Sequence, residues 1–198
     1  MGSLGGSGYD RMMQTPADVL ETQRLTLRPL TDADLRDMHR LYGDPQVMHA
    51  FDPSGPWPLN QTAERVTEIV RHWERHRFGR YHMRLRDSGE FVGRGGLEHD
   101  EDLGALDLGY SLLPQWWGKG LATEAGRAFI REAFTELHAE LVVAVMMPGN
   151  TRSIRVAERL GFVPDRDVIR DGAPCRSFTL GRDRWAKRPE AEDPDRPR

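Results

Sequence analysis

Apolar and polar positions alternate through Arg24 to Leu30 (RLTLRPL), with Leu25 and Leu27 on one face, which predicts a strand. Thr31 followed by Asp34 has the form of a capping box. It opens a helix in which Leu35, Met38 and Tyr42 recur at helical spacing. Asp52 to Leu59 holds three prolines and a glycine and reads as a loop. From Thr62, the residues Val66, Ile69, Val70 and Trp73 fall at i, i+3, i+4 and i+7, so Trp73 belongs to the core stripe of a helix. Tyr81–Arg86 and Phe91–Leu97 flank a turn at Asp87-Ser-Gly-Glu90, a hairpin, and Leu106–Leu113 follows the acidic turn Asp100–Gly104 as a further strand.

After Pro114 the spacing changes. Ala122, Ala125, Phe129, Ala133 and Leu137 line one face of a long helix over Leu121–His138. Leu141–Met146 is continuously apolar, as a strand buried on both faces would be. A helix over Thr151–Leu160 ends at Gly161, suited to a left-handed C′ position. Phe162–Ile169 and Arg176–Leu180 then flank Asp171-Gly172 as a last hairpin. The order β, α, α, β, β, β, α, β, α, β, β, without internal repeat, predicts a single α/β domain: one mixed sheet with helices on its faces.

Composition narrows the function classes. The chain has 198 residues, 38% hydrophobic and 30% charged, which suits one folded domain and is too apolar for disorder throughout. Residues 1–20, opening MGSLGGSG, read as a flexible tail, 21–185 as the folded domain, and 186–198, with three prolines among alternating charges, as a disordered tail. No apolar run reaches the roughly 18 residues of a membrane span. The single cysteine, Cys175, excludes an intrachain disulfide framework and a zinc site of several thiolates. It is read as incidental, since nothing near it in sequence lowers a thiol pKa. The acidic turn after His99 misses the calcium-loop pattern, and no metal site is expected. A net charge of −3 argues against a nucleic-acid surface. The cytoplasm is the default location.

Chemistry concentrates in Leu112–Ala125 (LLPQWWGKGLATEA). A strand ends, a proline and two tryptophans turn the chain, and Gly118-Lys119-Gly120 leads into a helix. The first N–H groups of that helix lack internal partners, and with the helix dipole and Lys119 they form an anion site suited to a pyrophosphate. A tight strand–helix connection is the plainer reading of these features alone. The segment has no GxxxxGK[ST] or GxGxxG fingerprint, Gly109-Tyr-Ser111 is no nucleophile elbow, and HExxH is absent.

Here the sequence resembles a family. Trp117-Gly-Lys-Gly-Leu-Ala122 followed by Thr-Glu-Ala is similar to motif A, [QR]xxGx[GA], of the GNAT superfamily of N-acetyltransferases. It is most similar to the subgroup that acetylates ribosomal-protein N-termini, which also departs from Gln or Arg at the position of Trp117. Gln115-Trp-Trp-Gly-Lys-Gly120 fits the same pattern in another register, one that shifts the helix start. Leu108–Leu112 resembles the preceding strand, and Asn150 to Ser153 through Arg159-Leu-Gly-Phe162 resembles motif B, about 30 residues on. The resemblance spans about residues 22 to 185. It implies the GNAT-like fold: a mostly antiparallel mixed sheet splayed between its fourth and fifth strands, Leu106–Leu113 and Leu141–Met146. It also implies acetyl-CoA as co-substrate. The pantetheine would pair with the backbone of Leu112 and Leu113. The pyrophosphate would lie on the loop and helix start formed by Trp117, Gly118, Lys119, Gly120, Leu121, Ala122 and Thr123, and Asn150 and Ser153 would face the arm near the thioester. Arg152 and Arg155 are outer candidates for the phosphates, or simply solvated arginines.

Acyl transfer to an amine needs a neutral nucleophile, an oxyanion donor and help for the leaving thiolate. At pH 7, deprotonation costs about 1 kcal/mol for an α-amine of pKa near 7.8 and about 4.6 kcal/mol for a lysine-like amine. The Leu112 N–H is the candidate oxyanion donor. Glu98, His99 and Asp107 are the candidate bases, His99 being the more surface-like. Asp107 stands inside an otherwise apolar strand, as a functional carboxylate or as the partner of a neighbouring arginine such as Arg94. Many GNAT enzymes carry a tyrosine acid about seven residues after the motif B asparagine. Here that position is Ala157, which leaves Ser153 as the hydroxyl on that helix, able to support a thiolate, to complete the helix cap, or both. Phe51 and Trp57 are the expected acceptor-side lid. The expected partner is an amine, on a protein N-terminus or a small molecule, with a homodimer left open. A non-catalytic acyl-CoA sensor is the alternative.

Overall fold

The computed structural model describes residues 19–188, apart from 53 and 171. Along the chain run β1 (Leu20–Glu21), β2 (Leu25–Pro29), α1 (Leu35–Tyr42), α2 (Pro45–Met48) and α3 (Leu59–His76). Then come β3 (Arg80–Leu85), β4 (Phe91–Asp100), β5 (Ala105–Leu112) and α4 (Leu121–Arg131). The chain closes with β6 (Leu141–Met146), α5 (Thr151–Arg159), β7 (Val163–Arg170), β8 (Ala173–Gly181) and α6 (Arg182–Ala186).

The strands form one sheet in the order β1-β2-β3-β4-β5-β6-β8-β7. Every neighbouring pair is antiparallel except β5 and β6, which run parallel and meet only at Leu106–Val142 and Asp107–Val143. Beyond those pairs the two strands part. The predicted splay is therefore present, one place later in the count because β1 precedes the first predicted strand.

Strand alternation assigns the helices to faces. Gly95 of β4 presents its missing side chain to the Phe129 ring of α4, and Tyr81, opposite Gly95, stacks on that ring at 5.6 Å. Arg94 points the other way, to Tyr42 of α1, and Glu98, on the same side as Arg94, meets Arg65 of α3. α5 lies on the α4 face: Tyr110, opposite Gly95, reaches Ser153, and Gly126 of α4 leaves room for Leu160 at the end of α5. The site is built where these two layers flank the splay.

Several boundaries differ from expectation for local reasons. The Thr31–Asp34 box closes both ways and leads through one 3-10 turn into α1. α3 begins at Leu59, inside the expected loop, because Pro58 already stands at its N-cap. α2 is a single turn, capped by Asp44 with Pro45 at its first position and too short for periodicity to show. β1 straddles the expected boundary between the N-terminal tail and the domain, and the α6 turn is followed by Arg188 donating to the Leu160 and Arg159 carbonyls, so packing continues past the expected domain end. The rest of both tails lies outside the described residues. The long helix ends as α4 at Arg131 and continues as a π turn, Glu132–Glu136. That turn buries Glu132, whose Oε1 accepts from the Tyr81 hydroxyl while Oε2 has no partner among the described residues. Burial pushes this carboxyl up to about 7.

Candidate active site

β5 ends at Leu112 and one 3-10 turn, Pro114–Trp116, carries the chain to two left-handed glycines, Gly118 (φ +73) and Gly120 (φ +80). α4 starts at once at Leu121 with Gly120 as N-cap, and no side chain caps it. The first N–H groups of the helix, from Leu121 through Thr123, therefore lack intrahelical acceptors, and the space a side chain at Gly118 would fill is open.

Surrounding side chains fix this loop. The indole of Trp116 donates to the Phe91 carbonyl (3.1 Å) and that of Trp117 to the Leu112 carbonyl (2.8 Å). Lys119 lies over the Trp116 ring and Arg152 over the Trp117 ring, each at 4.5 Å. Glu124 of the Thr-Glu-Ala sequence accepts from the Thr22 hydroxyl and from the backbone N–H and Nε of Arg24, and Arg24 Nη1 donates to the Lys119 carbonyl at 2.9 Å. That glutamate ties the loop to the first strands of the sheet.

The open strand edge differs from the expected one. The Leu113 N–H is taken by the Val92 carbonyl (3.0 Å) and the Leu113 carbonyl by the Trp116 N–H (2.9 Å), so neither is available to an added strand. Antiparallel geometry then directs the backbone groups of Leu112, opposite Gly93, and of Tyr110, opposite Gly95, away from β4 and towards the splay. With the Leu112 carbonyl held by Trp117, the exposed edge comprises the Leu112 N–H and both groups of Tyr110.

Across the gap, Asn150 caps α5 by accepting from the Ser153 N–H (3.2 Å), and its Nδ2 donates to the Ala50 carbonyl (3.3 Å). Ser153 Oγ accepts from the Tyr110 hydroxyl at 3.3 Å. Burial raises the Tyr110 pKa, an effect the Ser153 bond only partly offsets, so the phenol keeps its proton at neutral pH. Ala157 is buried and brings no hydroxyl, yet a phenol does reach this helix, from β5. Sequence reasoning missed Tyr110. Its only signal was a tyrosine two residues before the candidate oxyanion donor.

On the other face Glu98 and Asp107 are locked in ion pairs. Glu98 accepts from Arg65 at 2.7 and 2.9 Å and from Arg80 Nε at 3.1 Å, while Arg80 Nη2 donates to Asp107 at 2.6 Å. The partner of Asp107 is thus Arg80, two strands away, and not Arg94. Arg80 crosses the sheet over Gly109, where any side chain would strike its guanidinium. Despite burial, the neighbouring arginines hold Glu98 down at about 2. A carboxylate of that pKa is a poor proton acceptor from an amine.

Phe51 and Trp57 stand together over Tyr42, the Trp57 indole tied to Asp52 at 2.6 Å. Trp73 is in the core and Cys175 is buried. His99 is exposed and its ring lies against His76 and Phe78. Arg155 is exposed on α5. Among the described residues no group of three metal-ligating side chains could hold an ion, and no helix is long and apolar enough to cross a membrane.

The comparisons with known proteins agree with this geometry. The model of the family described as acetyltransferase (GNAT) domain matches residues 24–163. An uncharacterized protein of Bacillus subtilis, YkkB, is 33% identical over 162 residues, covering 80% of this chain and 93% of its own length. The ribosomal protein uS5-alanine N-acetyltransferase of Escherichia coli is 46% identical over 58 residues, 29% of this chain and 30% of its own. A crystal structure of an acetyltransferase from Agrobacterium tumefaciens superposes with a TM-score of 0.74 at 27% identity, covering 92% of this chain and 99% of that one. The aminoglycoside acetyltransferase AAC(6')-Ib, solved with coenzyme A, shares the fold at a TM-score of 0.68 and 20% identity, covering 82% of this chain and 98% of its own. The glycine loop at an uncapped helix start, the splayed sheet beside it and the family match over most of the chain all lead to one conclusion: this protein belongs to the GNAT acetyltransferase family and is an N-acetyltransferase.

Proposed function

We propose that the enzyme moves an acetyl group from acetyl-CoA directly to a primary amine, in the cytoplasm. One observation carries the reading: the open edge at Tyr110 and Leu112 runs straight into the uncapped N-terminus of α4. The diphosphate lies on the N–H groups of Gly118 to Thr123, with Lys119 and Arg152 adding positive charge. The pantetheine arm pairs with the edge in the splay.

The neutral amine attacks the thioester carbonyl, and the oxyanion forms at the Leu112 N–H. As the tetrahedral species collapses, the C–S bond breaks and the amide forms. The thiolate takes a proton through the Ser153 hydroxyl, which is refilled from Tyr110, and Tyr110 recovers its proton from water. The amine loses its proton to water. No strong base is required for an acceptor with an α-amine pKa, where deprotonation at pH 7 costs about 1 kcal/mol. Glu98 and Asp107 are positioning residues in this scheme: with Arg65 and Arg80 they brace the strands bordering the site.

A free thiol released from acetyl-CoA in the presence of an amine panel, together with a rise in Tm on adding acetyl-CoA, is the expected result. No shift at saturating acetyl-CoA would reject the assignment. The sensor alternative rested on Ala157 and on the lack of an obvious base; against it, Tyr110 offers a phenol where Ala157 has none, and an α-amine acceptor needs no strong base.

A further inference from the structure

Three arginines lie on the α1/α3 face of the sheet near the splay, and they are not equivalent. Arg65 and Arg80 are neutralised by Glu98 and Asp107. Arg94 is 3% exposed, yet among the described residues no carboxylate pairs with it. Its Nε donates to the Tyr42 hydroxyl at 3.0 Å, and that is the one hydrogen bond its guanidinium makes among the described residues. Its guanidinium carbon lies 5.7 Å from the Tyr42 ring centre and 5.3 Å from that of Phe51. Aromatic faces attract a cation, but they leave a planar fork of N–H donors unused. A buried guanidinium that no carboxylate touches, Glu98 acting on it only from a distance, is expensive to keep, and arginine's fork fits a carboxylate in a bidentate way.

The surroundings relate this group to the reaction. Arg94 stands opposite Ser111, which lies between Tyr110 and Leu112 on β5. Phe51, which covers the guanidinium, is 41% exposed and follows Ala50, whose carbonyl is held by Asn150 at the start of α5. Trp57 is pinned by Asp52 and by its own N–H to the Tyr42 carbonyl, which leaves Phe51 as the side chain free to turn outward.

We propose that Arg94 is the recognition site for a carboxylate on the acceptor, so that the enzyme acts on small primary amines carrying a nearby carboxylate, with Phe51 as the cover that admits it. This rests on the N-acetyltransferase reading given above. The carboxylate supplies a counter-ion in direct contact and takes the Nη donors that Tyr42 leaves unused, and the amine of the same small molecule is directed towards the splay.

Thiol release from acetyl-CoA is measured with matched acceptors: an amino acid panel, the corresponding methyl esters, aminoalkyl phosphates and short peptides. The wild type is expected to prefer a free amino acid over its ester by about a hundredfold in kcat/KM, chiefly through KM. Arg94→Met is expected to bring the acid and its ester to the same kcat/KM, and Arg94→Lys to restore part of the difference. Tryptophan fluorescence titrated with the amino acid alone, without acetyl-CoA, should respond through Trp57 in the wild type and not in Arg94→Met, a response that Trp57→Phe abolishes and that does not depend on turnover. Retention of the acetyl-CoA shift in Tm by both variants separates loss of recognition from loss of fold. The proposal is overturned if esters or peptides serve the wild type as well as free acids, if phosphates outperform carboxylates, or if Arg94→Met keeps the preference. An absent acetyl-CoA shift in the wild type, with amino acid binding at Trp57 intact, would instead remove the acetyltransferase reading and leave carboxylate recognition standing.

Discussion

The two faces of the sheet meet the splay with opposite chemistry. On the α4/α5 face the site is mostly backbone: two left-handed glycines, an uncapped helix start and a strand edge pointing into the gap. On the α1/α3 face it is charged side chains, Arg65, Glu98, Arg80 and Asp107 closed on one another, with Arg94 left over. Backbone donors suit a ligand common to a whole family, because their geometry depends on the fold and little on residue identity. Side-chain donors suit a ligand particular to one enzyme. The proposed acetyl-CoA site thus falls on one side and the proposed acceptor recognition on the other.

The largest expected effect tests the charged face. Glu98→Gln leaves Arg65 and Arg80 without their shared carboxylate and should lower stability by about 3–5 kcal/mol in denaturant unfolding. The Glu98 pKa falls on folding, from an ordinary carboxylate value to about 2. Its contribution is therefore complete above about pH 4.5 and lost as pH falls towards 2. The shape of the pH–rate profile should survive the substitution and follow the acceptor amine. If the ascending limb vanished, Glu98 would be a base after all.

Next comes the buried acid beneath the backbone face. Glu132 has its folded pKa raised to about 7, so the wild type loses stability as pH rises from about 4.5 to 7 and no more above that. Glu132→Gln keeps an acceptor for Tyr81 and should flatten that slope, a gain on the order of 3 kcal/mol near neutral pH. Parallel Tm-against-pH curves for the two proteins would contradict it.

A third test addresses the loop itself. Gly120→Glu forces a side chain into a left-handed position and puts negative charge on the anion site. The expected loss is about a hundredfold in kcat/KM for acetyl-CoA with the acceptor KM little changed. Equal losses for both substrates would mean that the two faces are not separable. The smallest effect sharpens the mechanism: Tyr110→Phe should lower kcat by up to about a hundredfold while the acetyl-CoA shift in Tm remains. A kcat equal to wild type would relieve Tyr110 and Ser153 of the thiolate's proton.

Much of this was legible along the chain, for reasons that can be named. The stripe Val66, Ile69, Val70 and Trp73 and the apolar run Leu141–Met146 carry their periods in the open, and both elements are present. So is the glycine loop before α4, because φ > 0 at 118 and 120 demands a residue type that reading can recognise. α2 and β1 were not legible, being four and two residues long. Leu113 was assigned to the cofactor edge, although its backbone partners come from Val92 and Trp116, which depends on register and on a turn.

The linear order of residues sufficed for the family, the order of the longer elements and the place of the glycine loop, since each follows from local spacing and from backbone conformations open to few residue types. Which side chains meet was settled only by folding. Asp107 finds Arg80 because Gly109 leaves a passage two strands wide, Tyr110 finds Ser153 because Gly126 lets α5 close on α4, and Arg94 keeps its idle donors because the nearby carboxylates are already claimed. Such partnerships join residues tens of positions apart through packing, and no pattern along the chain encodes them.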